Sequence, residues 1–262
     1  MLYESIPVKI LLGLLVGSVV GSFVGMATWR WPLKQSWWGR SKCPACSRTL
    51  GVRDLVPVVS YFLCGGLCRC GGKISVRYPI IEGVTAILTA LIFTLIGLNW
   101  VALMAAAFVM LLMMIIVIDA EHFIIPNQLV IWLFLLGLVW RWAVEGTWVA
   151  PIMGLGAGVM LFLTAFLAAF IVERMNEQES LGGGDLKLLF AAGPWVGFQI
   201  LPALLIFSGI FGVVSYFIWK KLDIKVAQSA DIPFGAFPYG PAICLAIYCC
   251  VVFEPWLIKV FQ

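Results

Sequence analysis

The sequence predicts an all-α polytopic membrane protein of about eight transmembrane helices, with a small Cys-rich cytoplasmic insertion after the first helix. Three observations carry this. Hydrophobic residues make up 63% of the 262 and charged residues only 11%, with a mean hydropathy of +1.05, whereas soluble domains average about 25% charged. Apolar runs long enough to cross a bilayer alternate with short polar joints. And nine of the 17 Lys and Arg fall between Arg30 and Arg77, where Asp54 is the only acid. Such a basic block can mark nucleic-acid contact. Next to membrane segments it follows instead from the excess of Lys and Arg on cytoplasmic loops. That places residues 30–77 in the cytoplasm and leaves no nucleic-acid partner expected. The organisation read from this is a first transmembrane helix (1–29), a cytoplasmic Cys-rich zinc-type module (30–79) and a seven-helix core (80–262).

The first apolar run, Ile6 to Trp29, lacks the basic start and small-residue cleavage site of a signal peptide, so it reads as a permanent helix. Gly17, Gly21 and Gly25 recur at four-residue spacing. Small residues in that register let a neighbouring helix approach closely.

The insertion holds Cys43-Pro-Ala-Cys46 and, after an intervening stretch, Cys68-Arg-Cys70. Cytoplasmic thiols stay reduced. Paired cysteines at this spacing point to Zn²⁺, which substitutes for the core that so small a module cannot build. The second pair is C-x-C, and Cys64, in C-x₃-C with Cys68, is a rival ligand.

Span 2 runs from about Ile80 to Leu98 with Glu82 near its start, and Asn99-Trp100 make an outer turn. Span 3, about Val101 to Ile118, delivers Asp119 to the inner face. Its methionines read as packing residues. Pro126-Asn127 then close an inner hairpin. Spans 4 (Leu129 to Val144) and 5 (Pro151 to Val172) go out and back, and the polar stretch Glu173 to Gly184 is an inner loop. Asp185 ends that loop. Span 6, Leu186 to Phe198, is short, and span 7, Ile200 to Trp219, ends at Lys220, Lys221 and Lys225. Asp231-Ile-Pro233-Phe234-Gly235 lead into span 8, about Pro238 to Val260. Counting helices from the basic insertion brings this lysine cluster back to the same side, in agreement with the charge rule.

The chemistry lies in two carboxylates, Asp119 and Asp185, each at the inner end of an apolar segment. An acid at a membrane segment is costly and points to function. Two that share one proton can activate water and protonate a leaving group. Gly182-Gly183-Gly184 ahead of Asp185 permit close approach of backbone and set Asp185 in the first turn of a helix. Asp119 could instead pair with an interfacial lysine such as Lys187, and Glu121 and His122 lie nearer to water.

With these motifs in order, the chain resembles the bacterial type IV prepilin peptidases, intramembrane aspartyl proteases of the GxGD kind that also N-methylate their product. The resemblance rests on Gly21-Ser22-Phe23 with Arg30-Trp31-Pro32, the cysteine module, Pro57 to Tyr61, Arg77-Tyr78-Pro79 with Glu82, Asp119 with Pro126, Gly182-x-Gly184-Asp185-x-Lys187, and Pro233-Phe234-Gly235. It implies that Asp119 and Asp185 are the catalytic pair and that Cys43, Cys46, Cys68 and Cys70 hold a structural zinc. Gly182, Gly184, Lys187, Pro233, Phe234 and Gly235 then border the substrate, and Glu82 is a candidate for methyl transfer. The implied partners are prepilins or pseudopilins of pilus or type II secretion systems together with membrane lipid, the implied cofactor is S-adenosylmethionine, and the implied location is the inner membrane with the site facing the cytoplasm. Three places differ from the family pattern: Gly25 stands where the family has Asn, the second cysteine pair is one residue short, and Ala236-Phe237-Pro238-Tyr239 follow the P-F-G. The first two favour, as an alternative, a peptidase without methyl transfer. A proton-coupled transporter would instead need carboxylates at mid-membrane and an inverted repeat, and the sequence has neither.

Overall fold

The computed structural model describes residues 5–36, 39, 41, 43, 46–49, 51, 56–176, 181–222, 237–254 and 257–258. Among these, every regular element is a helix: α1 (Ile6–Arg30), α2 (Val59–Leu63), α3 (Arg77–Ile96), α4 (Trp100–His122), α5 (Asn127–Glu145), α6 (Val149–Asn176), α7 (Gly183–Val196), α8 (Leu201–Leu222) and α9 (Gly240–Val252). Leu67 and Lys73 form an isolated antiparallel bridge. Among the described residues, each of the eight predicted apolar segments holds a helix. Six of them (α1, α3, α4, α5, α6 and α8) are long and apolar enough to cross a membrane. α7 and α9, with 14 and 13 residues, fall short of the roughly 20 that a full crossing takes.

The chain divides into two compact units, Met1–Met114 and Ile115–Gln262. In the first, α1 and α3 run antiparallel along a ladder of small residues. A Cβ at Gly17 would stand 2.6 Å from Ala86 Cα, one at Gly21 2.7 Å from Glu82 Cα, and one at Gly25 3.2 Å from the Tyr78 ring. Gly13 extends the ladder against Ala90. Glycine at these positions lets two backbones nearly touch, which is how apolar helices gain packing where lipid supplies no hydrophobic drive. Gly17→Ala is therefore expected to cost about 1–3 kcal/mol through forced separation of the helices. Thermal unfolding in detergent reads this against Gly83→Ala, whose Cβ would meet nothing within 4 Å. Equal midpoints for the two variants would refute it.

The same unit ties its insertion to the helix ends. Arg77, at the start of α3, donates from Nη1 to Gly25 O at 2.9 Å and from Nη2 to Thr28 Oγ1 at 2.7 Å. Glu82, buried one turn further on, accepts the Val58 N–H at 2.7 Å. Val58 has φ +61°, a strained backbone for a β-branched residue.

In the second unit α7 packs against α5, α6 and α9. α6 crosses it at Gly154, beside Pro194, and at Gly158, beside the Phe190 carbonyl and Gly193. Trp195 is fully buried and donates its indole N–H to Leu133 O of α5 at 3.0 Å. Arg141 of α5, also buried, clasps the far end of α7: its Nε donates to Pro194 O at 3.0 Å and its Nη2 to Trp195 O at 3.1 Å. Its Nη1 pairs with Glu145 and with Glu254, both at 3.0 Å. This network occupies one end of α7 and the aspartates occupy the other.

Candidate active site

Asp119 comes from the last turn of α4. The helix ends at His122, Phe123 takes a left-handed φ of +56°, and Pro126 caps α5. The Phe123 ring meets Trp219 of α8 edge-on at 5.8 Å. The carboxyl of Asp119 is buried, and its Oδ2 accepts the backbone N–H of Gly240, the first residue of α9, at 2.9 Å.

Asp185 stands in the first turn of α7, as its sequence position predicts, ahead of the apolar run that starts at Leu186. Gly182 is the N-cap in an extended conformation, so Gly183 and Gly184 belong to the helix and not to the loop before it. The three glycines do different things. A Cβ at Gly182 would meet Asp185 Oδ2 at 3.1 Å, one at Gly183 would meet nothing within 4 Å, and one at Gly184 would meet Ile125 Cβ at 3.2 Å. Gly184 is thus where the α4–α5 hairpin closes on α7. The same Ile125 reaches Gly240 with its Cδ1, 3.1 Å from where a Cβ would stand. One isoleucine fills the space between the glycines that flank the two aspartates.

The carboxyl of Asp185 feels that of Asp119. Burial first, and then the Asp119 carboxylate, push it up to about 7 against a backbone hydrogen bond from Gly182. Cys244 of α9, one turn past Gly240 and fully buried, lies within electrostatic reach of both aspartates. α4, α7 and α9 therefore supply one cluster: a buried carboxylate, a second carboxyl coupled to it, and a backbone donor fixed on the first. Sequence reasoning found the two acids and missed Gly240 and Cys244. Their spacing of one helical turn, beginning at Gly240-Pro241, was the available signal.

Lys187 is on another face of α7. Two residues along a helix turn a side chain about 200° away, and its Nζ donates to Asn127 Oδ1 at 3.0 Å instead of pairing with an aspartate. Both line an open groove of about 620 Å³ whose walls are Ile131, Phe134, Phe162 and Phe190. Glu121 and His122 are exposed. Pro233, Phe234 and Gly235 lie outside the described residues. Glu82 belongs to the first unit, where its carboxylate holds Val58.

The Sγ atoms of Cys43, Cys46, Cys68 and Cys70 lie within 4.8 Å of one another, those of Cys43 and Cys70 3.9 Å apart. The short C-x-C pair reaches the group because the chain turns tightly behind it. Cys68 N–H donates to Gly72 O and Gly71 N–H to Cys68 O, both at 2.8 Å, with Gly71 at φ +80°. Cys64 stands outside the group.

Residues 15–96 match the model of the bacterial peptidase A24 N-terminal domain, and residues 105–217 match that of the type IV leader peptidase family. A prepilin leader peptidase/N-methyltransferase of Pectobacterium carotovorum subsp. carotovorum is 33% identical over 207 residues, covering 76% of this chain and 71% of that protein. The chain belongs to the type IV leader peptidase family. A prepilin leader peptidase/N-methyltransferase of Neisseria gonorrhoeae is 30% identical over 207 residues, 78% of this chain and 67% of the relative. A leader peptide-processing enzyme of type 4 prepilin-like proteins from Escherichia coli is 35% identical over 206 residues, 75% and 71% respectively. No solved structure matches. As a member of the leader peptidase family the chain is an integral membrane enzyme of the leader peptidase/N-methyltransferase type. The first matched region contains the cysteine group and Glu82, and the second contains Asp119 and Asp185.

Proposed function

We propose that this leader peptidase cleaves the leaders of type IV prepilins or pseudopilins at the cytoplasmic face of the inner membrane, with Asp119 and Asp185 as its catalytic pair, and then methylates the new N-terminus. The observation that carries the reading is the convergence of two carboxylates from separate helices, one buried and clamped by a backbone donor, the other electrostatically coupled to it. One carboxylate takes a proton from water while the water oxygen attacks the scissile carbonyl carbon. The other gives its proton to the nitrogen as the C–N bond breaks. Like charges coupled in a buried site favour this singly protonated state. The cytoplasmic assignment follows the charge rule, with the Arg30–Arg77 block and Lys220 and Lys221 at the end of α8. The second activity is that of the relatives' names, and S-adenosylmethionine is the methyl donor such a transferase uses.

The cysteine group fits zinc. Tetrahedral thiolates about 2.3 Å from Zn²⁺ stand about 3.8 Å apart, against the 3.9 Å between Cys43 and Cys70. Zinc held by Cys43, Cys46, Cys68 and Cys70 fastens the insertion and takes no part in the cleavage. Elemental analysis of the purified protein is expected to give one zinc per chain, lost in Cys70→Ser and retained in Cys64→Ser. Zinc retained by Cys70→Ser would overturn the ligand set.

Co-expression with a type IV prepilin tests the whole reading, with cleavage and the mass of the mature N-terminus measured together. Cleavage at the leader junction with a gain of one methyl group is expected. Cleavage without that gain would leave a peptidase alone, and an uncut substrate would overturn the proposal.

A further inference from the structure

Gly240 contributes more to the site than an open space. It is the first residue of α9, where backbone N–H groups have no partner within the helix, and its N–H is spent on Asp119 Oδ2. Its φ is not positive, so backbone conformation does not require a glycine there. The carboxylate does: a Cβ at 240 would lie 2.6 Å from Asp119 Oδ2 and 3.1 Å from its Cγ. No L side chain fits while Asp119 holds this position.

The two aspartates are therefore unequal. Asp119 receives a donor at the positive end of a helix, which favours its charged form against the opposing effect of burial. A hydrogen bond of this kind favours the carboxylate over the acid. Asp185 also has a backbone partner, at Gly182, but burial and its neighbour's charge outweigh it and push its carboxyl up to about 7. Among the described residues, the titratable groups electrostatically coupled to Asp119 are Asp185 from α7 and Cys244 from α9. Ile125, lodged between Gly184 and Gly240, closes the apolar side.

We propose that Gly240 is the positioning residue that divides the roles of the pair: its N–H holds Asp119 as the carboxylate that takes the proton from water, and Asp185 keeps the proton that goes to the leaving amine. This rests on the proposed peptidase function. In each turnover one water O–H bond breaks toward Asp119, the C–O bond forms, the C–N bond breaks and the Asp185 proton moves to nitrogen. Solvent then returns a proton to Asp185 and removes one from Asp119.

The test is Gly240→Ala in the full chain in detergent with a type IV prepilin, kcat and KM measured separately and per folded enzyme. Alanine suits a helix better than glycine, so the added methyl acts on the carboxylate and not on the backbone. Displacement of a reacting group by about 1 Å costs on the order of 100-fold. A fall in kcat of roughly 10- to 100-fold with KM unchanged is expected. Gly209→Ala in α8, where a Cβ meets nothing within 4 Å, leaves both constants at wild type. The double variant Ile125→Ala/Gly240→Ala, which relieves crowding at the isoleucine but not at the carboxylate, stays slow. Wild-type kcat in Gly240→Ala, a loss carried by KM, or full recovery in the double variant would each overturn the assignment. Asp119→Asn, run alongside, separates the two levels. If it is inactive while Gly240→Ala is normal, only the role of Gly240 fails, whereas cleavage by Asp119→Asn removes the proposed function itself.

Discussion

Asp185→Asn is expected to leave a folded enzyme that no longer releases leader peptides. Asparagine keeps the shape of the side chain and can still meet the backbone at Gly182, but it has no transferable proton. General acid–base catalysis contributes about 10²–10⁴-fold per group, and here the two groups act as one unit, so losing either removes nearly all that the pair supplies. A loss of at least about 10³-fold in kcat is expected for Asp185→Asn and equally for Asp119→Asn. Neither substitution leaves a charge stranded. In Asp119→Asn the new amide oxygen still accepts the Gly240 N–H, and removing one carboxylate relieves repulsion on the other. Melting midpoints at or above wild type should accompany the loss. Prepilin cleavage measured by gel shift decides it, and retained processing by either variant would refute the pair.

The largest effect on stability is expected at the other end of α7. Arg141→Met removes a guanidinium that holds the carbonyls of Pro194 and Trp195 and pairs with Glu145 and Glu254. Glu145 is half-exposed and can turn to solvent, whereas Glu254 is largely enclosed, its side chain 19% accessible. Breaking such a pair from one side costs about 3–5 kcal/mol, because the surviving charge stays buried. Unfolding in detergent should show a loss of that size for Arg141→Met, and a smaller one for Arg141→Lys, which keeps the charge but not the fork of donors. A loss below about 1 kcal/mol for Arg141→Met would mean the network contributes no more than an exposed pair. Cleavage by the surviving folded enzyme should change little, since the network and the aspartates lie at opposite ends of the helix.

The fold class was legible because composition and length leave few alternatives: residues this apolar, in runs of this length, form helices in lipid. The short helices were harder. Gly182-Gly183-Gly184 looked like a loop because three glycines carry no helical preference, yet two of them lie inside α7, where contact with Ile125 fixes Gly184. The aspartates were legible because acids are scarce in this chain. Gly240 was not, since a backbone N–H has no signature in a sequence and Pro233-Phe234-Gly235 nearby form the more conspicuous motif. The choice between Cys64 and Cys70 was beyond spacing alone, because it depends on the turn at Gly71 bringing one sulfur in and leaving the other outside. Lys187 stood close to Asp185 in the sequence, but the helix turned it toward Asn127.

The glycine ladder between α1 and α3 has a consequence for how this insertion can change. Because the two helices touch from Gly13–Ala90 to Gly25–Tyr78, and Arg77 ties the last turn of α1 to the first of α3, the chain leaves and re-enters the helix pair at neighbouring points. The closure of that excursion is imposed by the helix pair. Lengthening it twofold then adds only about 0.6 kcal/mol of chain entropy. The helix pair can thus serve as a fixed socket, into which cytoplasmic segments of very different size can be grafted, with or without a metal, while the path of the chain through the bilayer stays the same.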